Sequence, residues 1–329
     1  MIFYTEIMVK KKIKVAVLFG GKSAEHEVSL QSAVNVIKAL DKSKYDITPI
    51  KINKDGKFKL SVVENFDVVF PVMHGPFGED GSMQGLLKLA GVPFVGPGVL
   101  GSAVGMDKDV MKRLFRDAGI PIGKFITLKT NDKINFSKIK KELGLPLFVK
   151  PANMGSSVGV SKVRNEKELQ KAAKEAFKFD TKIVIEENIP GREIECAVLG
   201  NDFPMASIPG EIIANQDFYS YDAKYIDTGS VAEIPAKINA KTKKQIQELA
   251  IKVFQVLNCE GLSRVDFFLK KDGKVIVNEI NTIPGFTNIS MYPKLWEASG
   301  IPAPKLIDRL IELAIERFEK EKKLQTSVK

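Results

Sequence analysis

The stretch VNEINTIPGFT, residues 277–287, sets a carboxylate and a carboxamide two positions apart at the end of an apolar run. Read as a strand, it points Glu279 and Asn281 to one side and Ile280 to the other, because side chains alternate faces. Pro284 and Gly285 then break the chain into a loop. Upstream, SRVDFFL (263–269) puts Arg264 and Asp266 on one face of a second strand, and the intervening KKDG reads as a hairpin turn. Counted about Asp272–Gly273, Asp266 falls opposite Glu279. Two carboxylates and a carboxamide on one face form a hard-oxygen donor set suited to Mg²⁺, with water or phosphate completing the octahedron. A solvated hairpin face would carry similar charges, but Val265, Phe267, Val277 and Ile280 are expected to bury the other face. Arg264, a planar and permanently charged donor, suits an oxyanion or phosphate and can neutralise Asp266 at the same time.

Phosphate chemistry has a second candidate in VKPANMGSSVGVSKV (149–163). A strand ends near Lys150, and the following loop offers Gly155 and Gly159 for close backbone approach and Ser156 and Ser157 as hydroxyl donors. A plain turn is the competing reading. No GxxxxGK[ST] loop occurs in the chain, and GPGVLG (96–101) matches GxGxxG only superficially: it begins nearly 100 residues in, with Pro at its second position. A third cluster follows the first strand in FGGKSAEHEVSL (19–30), where Glu25, His26 and Glu27 stand at a strand-to-helix junction. The other histidine, His74, ends FPVMHG and is followed by Glu79 and Asp80. A substrate role outweighs core packing for His74; for His26 the two are balanced.

The elements that must position these groups alternate. KVAVLFG (14–20), YDITPIKI (45–52) and FDVVFPVMHG (66–75) read as strands, with helices over 28–40 and 82–91 between and after them. That βαβα order predicts a doubly wound, mostly parallel sheet. A helix over 107–119 opens a second unit of mixed strands and helices. The last unit holds a helix near 240–257, the 263–281 hairpin and a terminal helix over 303–322. The span 210–230, polar and aromatic without periodicity, reads as a functional loop or lid.

At 329 residues the chain implies two or three domains, and 44% hydrophobic with 27% charged residues is ordinary globular composition. No apolar run reaches the length of a membrane span. The opening MIFYTEIMVKKK lacks the order of a secretory leader, since its lysines follow the apolar residues, and MVKKKIKVAVLFGG from Met8 reads as an alternative beginning. Cys196 and Cys259 read as two packed thiols in a reducing compartment. The net charge of +10 raises nucleic acid as a partner. The excess is scattered lysine without interleaved aromatics, so a solvated surface and a polyanionic small substrate explain it better.

Taken together, FGGKSAEHEVS, HGPFGEDG, GMDK, FVKPANMGSSVG, IPGREIECAVLG, YDAKY, RVDFFL and NEINTIPGFT, in that order, resemble the D-alanine–D-alanine ligases of the ATP-grasp superfamily. The resemblance runs from about Lys12 to Phe318. It implies an α/β chain (α+β overall) of three domains: an N-terminal doubly wound parallel sheet (1–97), a central ATP-grasp subdomain (98–187), and a C-terminal subdomain (188–329) with the metal site and a lid loop (207–231). The two α+β domains would sandwich ATP. The implied reaction ligates two D-alanines through a D-alanyl phosphate for peptidoglycan precursor synthesis, with two Mg²⁺ (or Mn²⁺) on Asp266, Glu279 and Asn281.

By the same resemblance Lys108, Lys150 and Ser157 contact phosphates, and Glu186, Glu187, Ile189 and Glu193 form the adenine and ribose pocket. Glu25 receives the first substrate's ammonium, Arg264 and the Gly285 amide stabilise the oxyanion, and His74 lines that subsite. Ser290 and Met291 match the pocket of the second D-alanine, while Ser156 and Tyr225 link Glu25 to the lid. Lys224–Tyr225 favours D-alanine over D-lactate as second substrate; a D-serine or D-lactate ligase, or another ATP-grasp carboxylate–amine ligase, is the alternative. A homodimer, a cytoplasmic location and no nucleic-acid or membrane partner are expected. A degenerate nucleotide-binding regulator is disfavoured because the metal, lysine and arginine positions are all present. Glu279→Gln or Arg264→Ala is expected to abolish turnover with the fold intact.

Overall fold

The computed structural model describes residues 11–213, 231–325 and 327. Its first part is β1 (Ile13–Gly20), α1 (His26–Ala39), β2 (Tyr45–Ile52), β3 (Val68–Pro71) and α2 (Ser82–Leu89). The strands form one parallel sheet in the order β2-β1-β3. Alternation along β1 divides its apolar residues between two cores: Val15 and Val17 pack with Ala33 and Val36 of α1, whereas Ala16 and Leu18 pack with Met83 and Leu87 of α2. Both faces are covered, as a parallel sheet requires.

Next come α3 (Val99–Met106), α4 (Lys108–Asp117), β4 (Phe125–Lys129), α5 (Phe136–Leu143), β5 (Leu147–Pro151), β6 (Ser161–Val163), α6 (Glu166–Ala176) and β7 (Lys182–Glu187). The four strands pair antiparallel in the order β4-β7-β5-β6. Three of these helices start where a side chain satisfies the free amides of the first turn: Asp107 before α4, Asn135 before α5 and Asn165 before α6.

The last part contains β8 (Arg192–Gly200), β9 (Met205–Ala206), β10 (Gly210–Ile213), β11 (Val231–Glu233), α7 (Ala240–Val256), β12 (Gly261–Leu269), β13 (Val275–Asn281), α8 (Met291–Ala298) and α9 (Ala303–Lys322). An antiparallel sheet runs β11-β10-β8-β12-β13, with β9 on β8. Packing does not follow chain order. Trp296 of α8 and Leu306, Leu310 and Ala314 of α9 return to the core beside β1 and β3, while Met111 and Phe115 of α4 join the core of β8, β12 and β13. The reason is visible in α9, whose buried residues at 306, 307, 310, 311, 313, 314 and 317 form one helical stripe that must find an apolar partner.

The 263–281 hairpin turns one residue earlier than the sequence count. Leu269 pairs with Val275, and Lys270 N–H reaches Lys274 O at 2.9 Å. Asp266 nevertheless faces Glu279, because a bulge adds Asn278 between the pairs Phe267–Val277 and Asp266–Glu279. The bulge also explains why Val277 and Ile280, three positions apart, are both buried while Glu279 and Asn281 share the open face. On the outer edge of β13, Val277 N–H bonds to Pro121 O at 2.8 Å.

Candidate active site

Two cavities of about 130 and 360 Å³ adjoin where the three sheets meet. Lys108, Ser156, Glu195 and Glu279 line both. The smaller one is walled by the turns after β1 and β3 and by the loop leading from β13 into α8. The larger lies between the β4-β7-β5-β6 sheet and the β8-β12-β13 strands.

In the smaller cavity Glu25 is the residue immediately before α1, buried to 7% exposure. Ser156 Oγ donates to Glu25 Oε1. The other oxygen is so close to two glycines that a Cβ would stand 2.7 Å from it at Gly75 and 2.9 Å at Gly155. Gly75 also has φ +72°, so the turn after His74 requires glycine twice over. His74 is buried; its Nδ1 faces Ile283 O at 3.1 Å and its Nε2 faces Ser32 Oγ at 3.2 Å. A carbonyl can only accept, so Nδ1 carries the proton. Burial pushes its pKa down, with the Glu25 charge acting in the opposite direction, and keeps the ring neutral. His26 points elsewhere, its Nδ1 on Gly21 O at 2.7 Å.

Glycine alone does not shape the Ser156 loop. Ser156 and Ser157 both hold left-handed backbone, φ 50° and 60°. Such a conformation costs a non-glycine residue roughly 1–2 kcal/mol, and it sets Ser156 Oγ on Glu25 and Ser157 along the larger cavity. The plain-turn reading of 149–163 therefore gives way to a shaped loop. Lys108 occupies the first turn of α4, where the helix dipole disfavours a cation. Met154 O at 2.6 Å and Glu279 at 3.7 Å compensate locally. In the larger cavity Lys150 meets Glu186 Oε2 at 2.8 Å, with Glu187, Ile189 and Glu193 on the wall.

Arg264 forms a fork on Asp266, Nε and Nη2 each at 2.7 Å, and lies 3.0 Å from Glu195 of the neighbouring strand β8. Burial alone would lower its pKa, but the Asp266 and Glu195 charges raise it well above the ordinary arginine value. Gly285, Ser290 and Met291 line the smaller cavity, the last two at the start of α8.

The sequence comparisons agree with this geometry. A profile for the N-terminus of D-ala D-ala ligases matches residues 14–65 and 57–97, and one for the C-terminus matches 114–312. The D-alanine–D-alanine ligase of Oceanobacillus iheyensis is 50% identical, with 96% of this chain and 99% of that one aligned. The chain belongs to the D-alanine–D-alanine ligase family. Among solved structures, the D-alanine–D-alanine ligase from Coxiella burnetii superposes with a TM-score of 0.86 at 41% identity, covering 95% of this chain and 97% of that one. The VanG D-Ala:D-Ser ligase from Enterococcus faecalis gives 0.84 at 38% identity (92% and 100% covered). The ATP complex of the Bacillus anthracis D-alanine–D-alanine ligase gives 0.82 at 32% identity (94% and 99% covered). The fold is thus ATP-grasp, a mixed α/β chain with one parallel and two antiparallel sheets among the described residues.

Within this ligase-family site the oxygen donors fit a magnesium-type cation. Among the described residues no three His, Cys, Asp or Glu side chains form a ready metal cage. Asn281 Oδ1, however, is buried without a hydrogen-bond partner beside Glu279. Asp266 spends only part of its acceptor capacity on the Arg264 fork. A hard cation that keeps water and phosphate oxygens in its shell matches such an incomplete donor set.

Lys224 and Tyr225 lie outside the described residues, as does most of the expected lid loop. Three groups in the ligase site were not singled out from sequence for the parts they play. Glu195 faces Asp266 across β8–β12, and its signal was the alternation of Glu193 and Glu195 with apolar 194, 196 and 198. Lys112, one helical turn after Lys108, is buried against Glu186. Glu79 accepts from Gly75 N–H at 2.9 Å while its other oxygen is buried without a hydrogen-bond partner. Burial, then the nearby Glu25 charge, pushes Glu79 up from 4.5 to about 8.

Below pH 4.5 both folded and unfolded chains hold the Glu79 proton. As pH rises toward 8 only the unfolded chain releases it, so this carboxyl makes stability fall across that window. Glu79→Gln is expected to flatten the slope of unfolding free energy between pH 5 and 8 by up to roughly one proton. Urea unfolding at several pH values checks this, and an unchanged slope would contradict it.

Proposed function

We propose that this chain ligates two D-alanines at the expense of ATP, giving D-alanyl-D-alanine for peptidoglycan precursors. One observation carries the reading: in a chain of this family, a nucleotide-sized cavity and a smaller acidic and basic one adjoin through Lys108, Ser156 and Glu279. That layout lets a phosphoryl group held in one cavity reach a carboxylate held in the other.

ATP occupies the larger cavity, with its base and ribose along Glu186, Glu187, Ile189 and Glu193 and its phosphates near Lys108, Lys150 and Ser157. Mg²⁺, proposed as two ions held by Asp266, Glu279 and Asn281, supplies charge neutralisation for the phosphates when bound. The first D-alanine sets its ammonium on Glu25, with its carboxylate toward Arg264. A carboxylate oxygen attacks the γ-phosphorus, the bond to the ADP oxygen breaks, and an acyl phosphate forms. The protein's part in that step is alignment and charge stabilisation.

The second D-alanine places its carboxylate at the N-terminus of α8, near Ser290 and Met291, where helix amides favour an anion. Its amine, having lost a proton to solvent, attacks the acyl carbon. Arg264 and the Gly285 amide steady the oxyanion, and the carbon–oxygen bond to phosphate breaks. Neutral His74 lines the subsite of Glu25 and Arg264 without competing as a second cation. Ser156 on Glu25 is the described part of a network that Tyr225 would extend, with Lys224 beside it at the second substrate.

The three units divide near residues 97 and 187, one per sheet, with ATP between the second and third. The protein works in the cytoplasm as a homodimer. Its ATP-dependent chemistry supports that location; among the described residues no helix is long and apolar enough to cross a membrane. Incubation with ATP and Mg²⁺ tests the activity: D-alanine alone is expected to give dipeptide, ADP and phosphate. Phosphate released only when D-serine or D-lactate is added would replace this reading with that of an alternative-acceptor ligase.

A further inference from the structure

Lys112 stands on the face of α4 that looks into the larger cavity, its side chain 3% exposed. Full burial of a lysine demands a strong compensating reason. Its ammonium lies 3.3 Å from Glu186 Oε1 and donates to Asn278 O at 3.3 Å, on the bulge of β13. Lys150 takes the opposite oxygen, Oε2, at 2.8 Å. Glu186 is therefore gripped by a lysine on each side. Burial would push its carboxyl up, yet Lys112 and then Lys150 bring it below the ordinary glutamate value.

The geometry leaves one capacity unused. Among the described residues Glu186 Oε1 has no hydrogen-bond partner, the Lys112 ammonium standing 3.3 Å from it as an ion pair. On the flanking strands Phe125 and Phe148 pair directly with Glu186; Phe148 lines the larger cavity, whereas the Phe125 ring lies 6.0 Å from the Lys112 ammonium. A fixed negative acceptor beside a flat apolar group accommodates a planar base that offers an N–H donor and rejects one that offers only a carbonyl oxygen.

We propose that Lys112 is a positioning residue that sets nucleotide selectivity, clamping Glu186 opposite Lys150 so that Oε1 stays free to accept from the exocyclic amino group of the base. The inference rests on the ATP-dependent ligase reading above. It concerns selection of the base, a property that neither the metal donors nor Arg264 control.

The test compares ATP with purine riboside triphosphate, which lacks the 6-amino group, as phosphoryl donors for dipeptide formation. In the unsubstituted enzyme KM for the analogue is expected to exceed that for ATP by roughly tenfold or more, the worth of a hydrogen bond to a charged acceptor. In Lys112→Gln, which keeps a donor for Asn278 O but removes the charge, the KM ratio is expected to fall to within about threefold, with a larger effect on KM for ATP than on kcat. Lys112→Arg, which keeps the charge, should restore most of the ratio. If Lys112→Gln does not fold, Lys112→Met is read in its place. A ratio that stays high in the neutral variant, or KM values that rise equally for both nucleotides, would overturn the proposal. Failure of the unsubstituted enzyme to form dipeptide from ATP would instead overturn the ligase reading, so the two failures are separable.

Discussion

Arg264→Lys is expected to fold and to lose on the order of 10²–10³ in kcat, the loss typical of removing a donor to a developing oxyanion. Lysine keeps the charge but not the planar fork that holds both oxygens of Asp266 at 2.7 Å. The ammonium then satisfies either the acidic pair or the substrate oxyanion. Arg264→Ala has a different outcome from the one the sequence suggests. Glu195 and Asp266 would face each other across β8 and β12, both largely buried, with no cation between them. Breaking a buried ion network by removing its cation costs about 3–5 kcal/mol, so loss of activity in the alanine variant would be mixed with loss of fold. Urea denaturation beside steady-state kinetics separates the two effects. A lysine variant with near-normal kcat would remove Arg264 from the chemistry.

Glu279→Gln is expected to lower kcat by roughly 10²–10³ at saturating ATP, since it weakens electrostatic stabilisation of the transferring phosphoryl group. Glu279 lines both cavities and stands 3.7 Å from Lys108, the lysine that most directly bridges them. Glutamine matches the shape and retains one carbonyl oxygen, so the fold should persist. The negative charge that a hard divalent ion prefers is lost, and the Mg²⁺ concentration for half-maximal rate should rise. Equal Mg²⁺ dependence in the variant and the unsubstituted enzyme would take Glu279 out of the metal site.

The sequence made strand-borne groups legible because alternation is a local rule. Asp266, Glu279 and Asn281 could be placed on one face from spacing, and the structure puts Asp266 opposite Glu279 as counted. The same rule could not foresee the bulge at Asn278. Val277 and Ile280, three positions apart, both read as core residues, which strict alternation forbids and only an extra residue reconciles. The parallel sheet was equally legible, since the βαβα order and apolar strands are chain-local signals. By contrast, the importance of Glu195, Lys112 and Glu79 arises from neighbours far away in the chain. Lys112 reads as one more surface lysine in a helix until Glu186, 74 residues on, buries it. Glu79 reads as an ordinary loop acid until Glu25 and the packed turn after β3 surround it.

The central claim is that the phosphoryl group crosses from one cavity to a carboxylate in the other before the peptide bond forms. The most direct measurement incubates the protein with ATP, Mg²⁺ and D-alanine carrying ¹⁸O in its carboxylate, then analyses the products by mass spectrometry. The account predicts ADP, phosphate and D-alanyl-D-alanine in equal amounts, with one labelled oxygen in each phosphate. Unlabelled phosphate, or AMP in place of ADP, would contradict it.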